Sequence, residues 1–127
     1  MSEYREYIEE LREEFNSKTE EFYCLPAGWV DTFVPQMLDD LFEVLGSSIY
    51  DWELLQVKEK YGTLTVYWCW NMDSDLSDED KADLEYQLEE ILDQYTSISR
   101  NTCAMCGEEA THMSTGWMVP LCDECDE

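Results

Sequence analysis

Cys103-Ala-Met-Cys106-Gly107 and Leu121-Cys122-Asp-Glu-Cys125 set two Cys-x2-Cys pairs with fifteen residues between them. Two residues between cysteines let a tight turn aim both sulfurs at one point. Two such turns facing each other supply a tetrahedral thiolate cage, the spacing of a zinc ribbon. Gly107 follows the first pair, where positive φ lets backbone N–H groups point at thiolates, and glycine adopts it without steric cost. The expected ligands are Cys103, Cys106, Cys122 and Cys125, around one structural Zn2+. Four thiolates close the shell, so this metal is expected to hold structure and not to activate water. His112 lies between the pairs and is expected on the ribbon's own hairpin. Six cysteines are also compatible with disulfides. Residues 1–14 are charged and helical in pattern, with no apolar signal segment, and disulfide-dense chains carry less core than this one, so zinc is the expectation.

The chain of 127 residues is 44% hydrophobic and 13% aromatic, enough for a real core and unlike a disordered acidic tail. Asp and Glu number 31 against 7 Lys and Arg, a formal charge of -24. Zinc ribbons that bind nucleic acid neutralise phosphates with Lys and Arg. From Cys103 onward this one has neither. Direct nucleic-acid binding is therefore disfavoured, and the expected partner carries a basic surface. No apolar run approaches the roughly 18 residues of a membrane span. A soluble protein in a reducing, cytoplasmic compartment is expected, with no membrane partner.

Residues 2 to about 22 have the period of an amphipathic helix, with Tyr4, Ile8, Leu11 and Phe15 inward and Glu3, Glu6, Glu9, Glu10, Glu13 and Glu14 on the other faces. Cys24-Leu-Pro26-Ala-Gly28-Trp29 has the punctuation of a loop, and Cys24 is expected as a buried free thiol. A second helix is expected over 32–45, with Phe33, Met37, Leu41 and Leu45 on its core face, Pro35 in its first turn and Gly46 as its stop. Trp52 to Tyr61 and Thr63 to Trp70 alternate at period two about Gly62, a hairpin in which Trp68 and Trp70 are expected in the core. Ser77 followed by Asp78, Glu79 and Asp80 has the form of an N-cap, opening a third helix to about Tyr95 with Leu84, Leu88, Ile91 and Tyr95 inward. Ser97 to Thr102 is expected to link this helix to the ribbon. The fold class is α+β, three helices packed on a small antiparallel hairpin sheet, with an acidic domain at 1–99 and a four-cysteine zinc ribbon at 100–127. Because two strands alone are marginal, a third strand or pairing with the ribbon is also open.

Leu55-Gln-Val-Lys58-Glu-Lys60-Tyr61-Gly62-Thr63-Leu64-Thr-Val-Tyr67, preceded by Gly28-Trp29 and followed by the cysteine pairs with Gly116-Trp117 between them, resembles a family of small phage and bacterial proteins. Their hairpin has the form V-K-E-K-F-G-G-L-R-F-Y. The resemblance covers roughly 26–125 and implies a shared fold and a mobile-element setting, the host cytoplasm if phage-encoded. It brings no activity with it. Thr63 stands where a second glycine is usual and Thr65 where an arginine is usual, so no binding role for that arginine transfers here.

No nucleophile paired with a base, glycine-rich phosphate loop or open metal position is legible, so an enzyme is not expected. Two binding classes remain. In the first, the protein is an acidic inhibitor that mimics DNA and occupies the basic nucleic-acid site of a host protein, as an anti-CRISPR or anti-restriction factor would. Its surface would comprise Glu79, Asp80, Asp83, Glu89, Glu90 and Asp93, joined by Glu3, Glu6, Glu10 and Glu13. In the second, the ribbon and the aromatic or apolar residues Trp117, Met118 and Tyr86 grip a protein partner without mimicry.

Overall fold

The structure is a computed structural model that describes residues 2–114 and 118–125, with side chains from Arg5 onward. Helix α1 spans Ser2–Lys18, and a 3-10 segment follows at Glu20–Cys24. Next come α2 (Ala27–Thr32), α3 (Val34–Leu45) and a second 3-10 segment (Gly46–Asp51). The hairpin strands are β1 (Trp52–Lys60) and β2 (Thr63–Trp70), followed by α4 (Asp78–Arg100) and the short strands β3 (His112–Met113) and β4 (Pro120–Leu121). The α+β class holds, with four α-helices among the described residues where three were expected.

The additional helix is α2, in the stretch expected to be a loop. Pro26 does not break it because it sits at the N-cap in extended backbone, and its carbonyl accepts the amides of Trp29 and Val30 at 3.0 and 3.1 Å. Gly28 lies inside the helix with the backbone of residues 103–107 packed against it. Helix α1 ends four residues earlier than the period suggests. Thr19 turns its hydroxyl back onto the Phe15 carbonyl at 2.8 Å, and the chain tightens into the 3-10 segment. Cys24 at the end of that segment is exposed, not buried.

The core is assembled from α1, α3, the hairpin and α4, with Trp29 of α2 and Phe22 and Ile49 of the 3-10 segments buried in the same cluster. Phe15 stacks on Trp52 with centroids 6.1 Å apart and meets Phe42 edge-on, while Phe33 stacks on Tyr95 at 6.0 Å. Leu41, Leu64 and Leu88 are fully buried between them. Lys18 is part-buried and donates to the carbonyls of Ile49 and Trp52, both at 2.7 Å, which fixes the entry to β1.

The strands pair antiparallel with Val57 opposite Val66 and Lys60 opposite Thr63, and the register shifts between Leu54 and Gln56. Tyr61 and Gly62 both take positive φ, 53° and 81°, the two-residue turn that matches strand twist. Trp68 and Trp70 are half-buried, each with a flank on the core. No third strand joins this sheet among the described residues; the ribbon forms its own β3–β4 pair.

Helix α4 begins as expected, with Ser77 Oγ accepting the Asp80 amide at 3.1 Å. It runs through Arg100, absorbing the expected linker, because Ile98 packs on the core and Ser99 Oγ accepts the Leu64 amide at 3.0 Å.

Candidate metal centre

The first cysteine loop starts where α4 ends. Thr102 bridges Glu109, the Cys103 amide donates to Glu108 O at 2.7 Å, and the Gly107 amide donates back to Cys103 O at 3.0 Å. Closing so small a loop puts Gly107 at φ 85°, the left-handed backbone expected of it. The second loop follows β4, with the Cys125 amide on Cys122 O at 3.2 Å. The two loops are joined directly: Ala104 donates to Pro120 O and Thr111 to Leu121 O, both at 2.9 Å.

These bonds gather the sulfurs of Cys103, Cys106, Cys122 and Cys125 within 4.8 Å of one another, with Cys106 and Cys122 at 3.6 Å. A tetrahedron with metal–sulfur bonds of about 2.3 Å has edges of about 3.8 Å, so the cluster has the size and donor set of a four-thiolate metal site. Its electrostatics favour a cation. Burial pushes the Cys103 thiol up, but the amides of Cys106, Cys122 and Met105 outweigh it and hold the group at about 6. The neighbouring Cys106 and Cys122 thiols push Cys125 the other way, upward. Each thiolate formed here opposes the next unless positive charge sits among them. His112 is in β3, as expected, and stands apart from the cluster with Nδ1 2.9 Å from Thr111 Oγ1 and 3.7 Å from Asp123 Oδ1. Cys24 and Cys69 are exposed and also outside it.

The ribbon is seated on the body at three points that the sequence reading did not assign to it. The Gly28 amide of α2 donates to Ala104 O at 2.8 Å. Trp29, fully buried, donates its indole Nε1 to Thr102 O at 3.0 Å. At the hairpin tip, a Cβ on Gly62 would overlap Met113 and lie 3.1 Å from Met118 O. Gly28 was legible only as a breaker, and its role is the close approach of a second backbone; Gly62 supplies the positive φ of the hairpin turn, as expected, and also leaves room for the ribbon.

The candidate acidic residues lie on two helices, α1 and α4. Glu6, Glu10 and Glu13 are exposed on α1, and the Glu3 side chain lies outside the described residues. Glu79, Asp80, Asp83, Glu89, Glu90 and Asp93 are all exposed on α4. At about 100° per residue, Glu79, Asp83, Glu90 and Asp93 share its outermost stripe, Asp80 turns to the side of Gln87, and Glu89 turns toward β2. Helix α3 joins the two acidic helices: its Asp39 pairs with Arg12 of α1 at 3.2 Å, and its Asp40 accepts the Tyr95 hydroxyl of α4 at 2.6 Å. Arg12 is further held over the Phe42 ring, 3.8 Å from its centroid.

Fold and site together define a small acidic α+β protein closed at one end by a four-cysteine clip. No family model, curated protein or solved structure matches the chain. No helix among the described residues is long and apolar enough to cross a membrane.

Proposed function

We propose that this is a binding protein, not an enzyme, that occupies the basic nucleic-acid site of a partner by presenting carboxylates in place of phosphates, with zinc in the four-cysteine site as a structural pin. The observation that carries the reading is the large acidic excess of the exterior, 31 Asp and Glu against 7 Lys and Arg. A solvated surface ordinarily mixes signs. Here acids line the outer faces of α1 and α4 and outnumber the exposed bases Arg5, Lys60 and Arg100, while Lys18 is half-buried and Arg12 is paired with Asp39. Such a surface is steered onto a basic cleft rapidly and in a salt-dependent way. The hairpin's resemblance to phage and bacterial proteins adds a setting, the host cytoplasm. The fitting targets there are a nuclease, CRISPR effector, restriction enzyme or polymerase channel. The test is competition: the protein should displace DNA or RNA from the partner captured at low salt, and release that partner as salt rises. Capture that ignores both nucleic acid and salt would reject the reading.

A second reading, a protein-interaction module without mimicry, is favoured by Tyr86 and Met118, exposed by 66% and 50% on α4 and the ribbon. Trp117, its third expected contact, lies outside the described residues. Loss of capture on Tyr86→Ala or Met118→Ala, with capture indifferent to salt, would select this reading.

A further inference from the structure

The two edges of the hairpin are treated differently. Strand β1 carries the register shift and two lysines, Lys58 and Lys60, devices that keep an edge from pairing with foreign strands. Strand β2, Thr63-Leu-Thr-Val-Tyr-Trp-Cys-Trp70, has no lysine, proline or register break.

The direction of the β2 backbone follows from its two ends. The Leu64 amide donates to Ser99 Oγ at 3.0 Å and the Leu64 carbonyl accepts from Thr96 Oγ1 at 3.4 Å, both on α4 and away from β1. The Asn71 amide donates to Asp51 O at 2.7 Å, toward β1. Backbone groups along a strand alternate sides with period two. Val66, Trp68 and Trp70 therefore turn their N–H and C=O groups to the same side as Leu64. Past Leu64 nothing among the described residues outside the hairpin bonds them. Strand and helix are separated there by a groove of about 460 Å³, with residues 66–70 on one wall and Glu85 and Glu89 on the other. Trp68 and Trp70 meet edge-on with centroids 5.1 Å apart, and Trp70 Nε1 donates to Glu85 Oε1 at 2.9 Å.

We propose that this open edge of β2 receives an extended, arginine- or lysine-bearing segment of a partner protein as a third strand, with Glu85 and Glu89 facing its cationic side chains. Main-chain bonds to Val66 and Trp68 supply affinity, and the carboxylates and indole faces select positive charge. A second copy of the chain is disfavoured as occupant, because pairing edge to edge would bring together two bodies of charge -24. The inference rests on the proposed function only for the sign of the partner; it uses none of the outermost α4 acids.

The test uses the full chain, isotope-labelled and metal-loaded, and an eight-residue peptide of alternating valine and arginine. Two N-methylated versions of the peptide each block one alternate set of its amides. Binding should slow hydrogen exchange at Val66, Trp68 and Trp70 at least tenfold. One N-methylated peptide should lose at least tenfold in affinity and the other little, because only one set of amides faces β2. Glu85→Gln with Glu89→Gln should weaken binding about tenfold, and a valine–glutamate peptide should not bind. Equal binding of both methylated peptides, or signal changes confined to Glu79, Asp83 and Glu90, would overturn the proposal. So would exchange already slowed in a peptide-free dimer. Failure of the mimic reading is scored separately, by nucleic-acid competition with a variant carrying Glu79→Lys, Asp83→Lys, Glu90→Lys and Asp93→Lys, which leaves Glu85 and Glu89 in place.

Discussion

The amide of Gly28 in α2 donates to the carbonyl of Ala104 in the first cysteine loop across 2.8 Å, so the helical body touches the four-cysteine clip backbone to backbone. A Cβ at Gly28 would overlap the Cys103 carbonyl and lie 2.6 Å from the Gly107 amide. These are main-chain atoms of a loop held by its own hydrogen bonds, and they cannot swing aside as a side-chain tip would. Gly28→Ala should therefore cost about 2–3 kcal/mol, the price of overpacking a rigid contact. It should also weaken metal binding, because the loop must shift to make room. Urea unfolding of the metal-loaded protein and a competitive metal titration measure the two effects.

The same contact shows why the sequence was legible in some places and not in others. Cysteine spacing, the Ser77 cap and the period-two run from Thr63 to Trp70 are local signals, and each produced the element expected of it. Pro26 and Gly28 are breakers by type, but Pro26 here opens a helix and the cause of Gly28 is distant. The glycine makes room for a loop more than seventy residues further on. Ser97-Ile-Ser-Arg100 reads as a linker for a similar reason, since the bond that ties it to the body is donated by the distant Leu64 amide of β2 to Ser99 Oγ. Cys24 was expected inside because free cysteines usually are, yet the buried aromatic of that 3-10 segment is Phe22.

Metal removal should unfold the two ends of the molecule unequally. The aromatic core of the helices and hairpin forms one buried cluster, and Cys103, Leu121 and Cys122 form another. Atomic analysis should find one zinc ion per chain in gently purified protein. Chelation, or Cys122→Ser, should abolish ordered amide signals over 102–114 and 118–125 while most of the helical circular dichroism survives. Metal affinity should fall as pH is lowered, because protons compete for the thiolates. A metal-free protein with an intact ribbon spectrum would contradict this account.

Tyr95 should make the protein sensitive to alkali. Burial, and then the hydrogen bond to Asp40, push its hydroxyl above the ordinary value of 10.0. A group raised on folding contributes stability that is fully present below its unfolded value and lost as pH rises toward its folded one. Stability should thus decline from about pH 10 upward on account of this residue. Tyr95→Phe should cost about 1–2 kcal/mol at neutral pH and flatten that decline. Urea midpoints of the two proteins between pH 8 and 11 provide the check.

Lys18 should matter more than an acidic protein's lysine ordinarily would. Its ammonium satisfies the carbonyls of Ile49 and Trp52 and lies 3.8 and 3.9 Å from Glu14 and Glu53. Lys18→Met keeps the apolar stem but takes the ammonium from the Trp52 carbonyl, while the Ile49 carbonyl keeps the Trp52 amide, at a cost of about 1–2 kcal/mol. Lys60→Met, at the exposed end of β1, should change stability by less than about 0.5 kcal/mol. Thermal unfolding of the pair separates a structural lysine from a solvating one.

Reversing the outer stripe of α4 should separate function from folding. Glu79→Lys, Asp83→Lys, Glu90→Lys and Asp93→Lys each add two charges, so together they take the formal charge from -24 to -16. All four side chains are exposed, and the repulsion they relieve offsets the loss of an acid from the first turn. Stability should therefore stay within about 1 kcal/mol of the parent. If the protein works by filling a basic cleft, affinity for that partner should fall at least a hundredfold at low salt, with a shallower salt dependence. If the ribbon and Tyr86 carry recognition instead, the same variant should bind its partner almost as the parent does. Because the fold is expected to be indifferent to these four residues, a large loss of binding could be assigned to the surface itself.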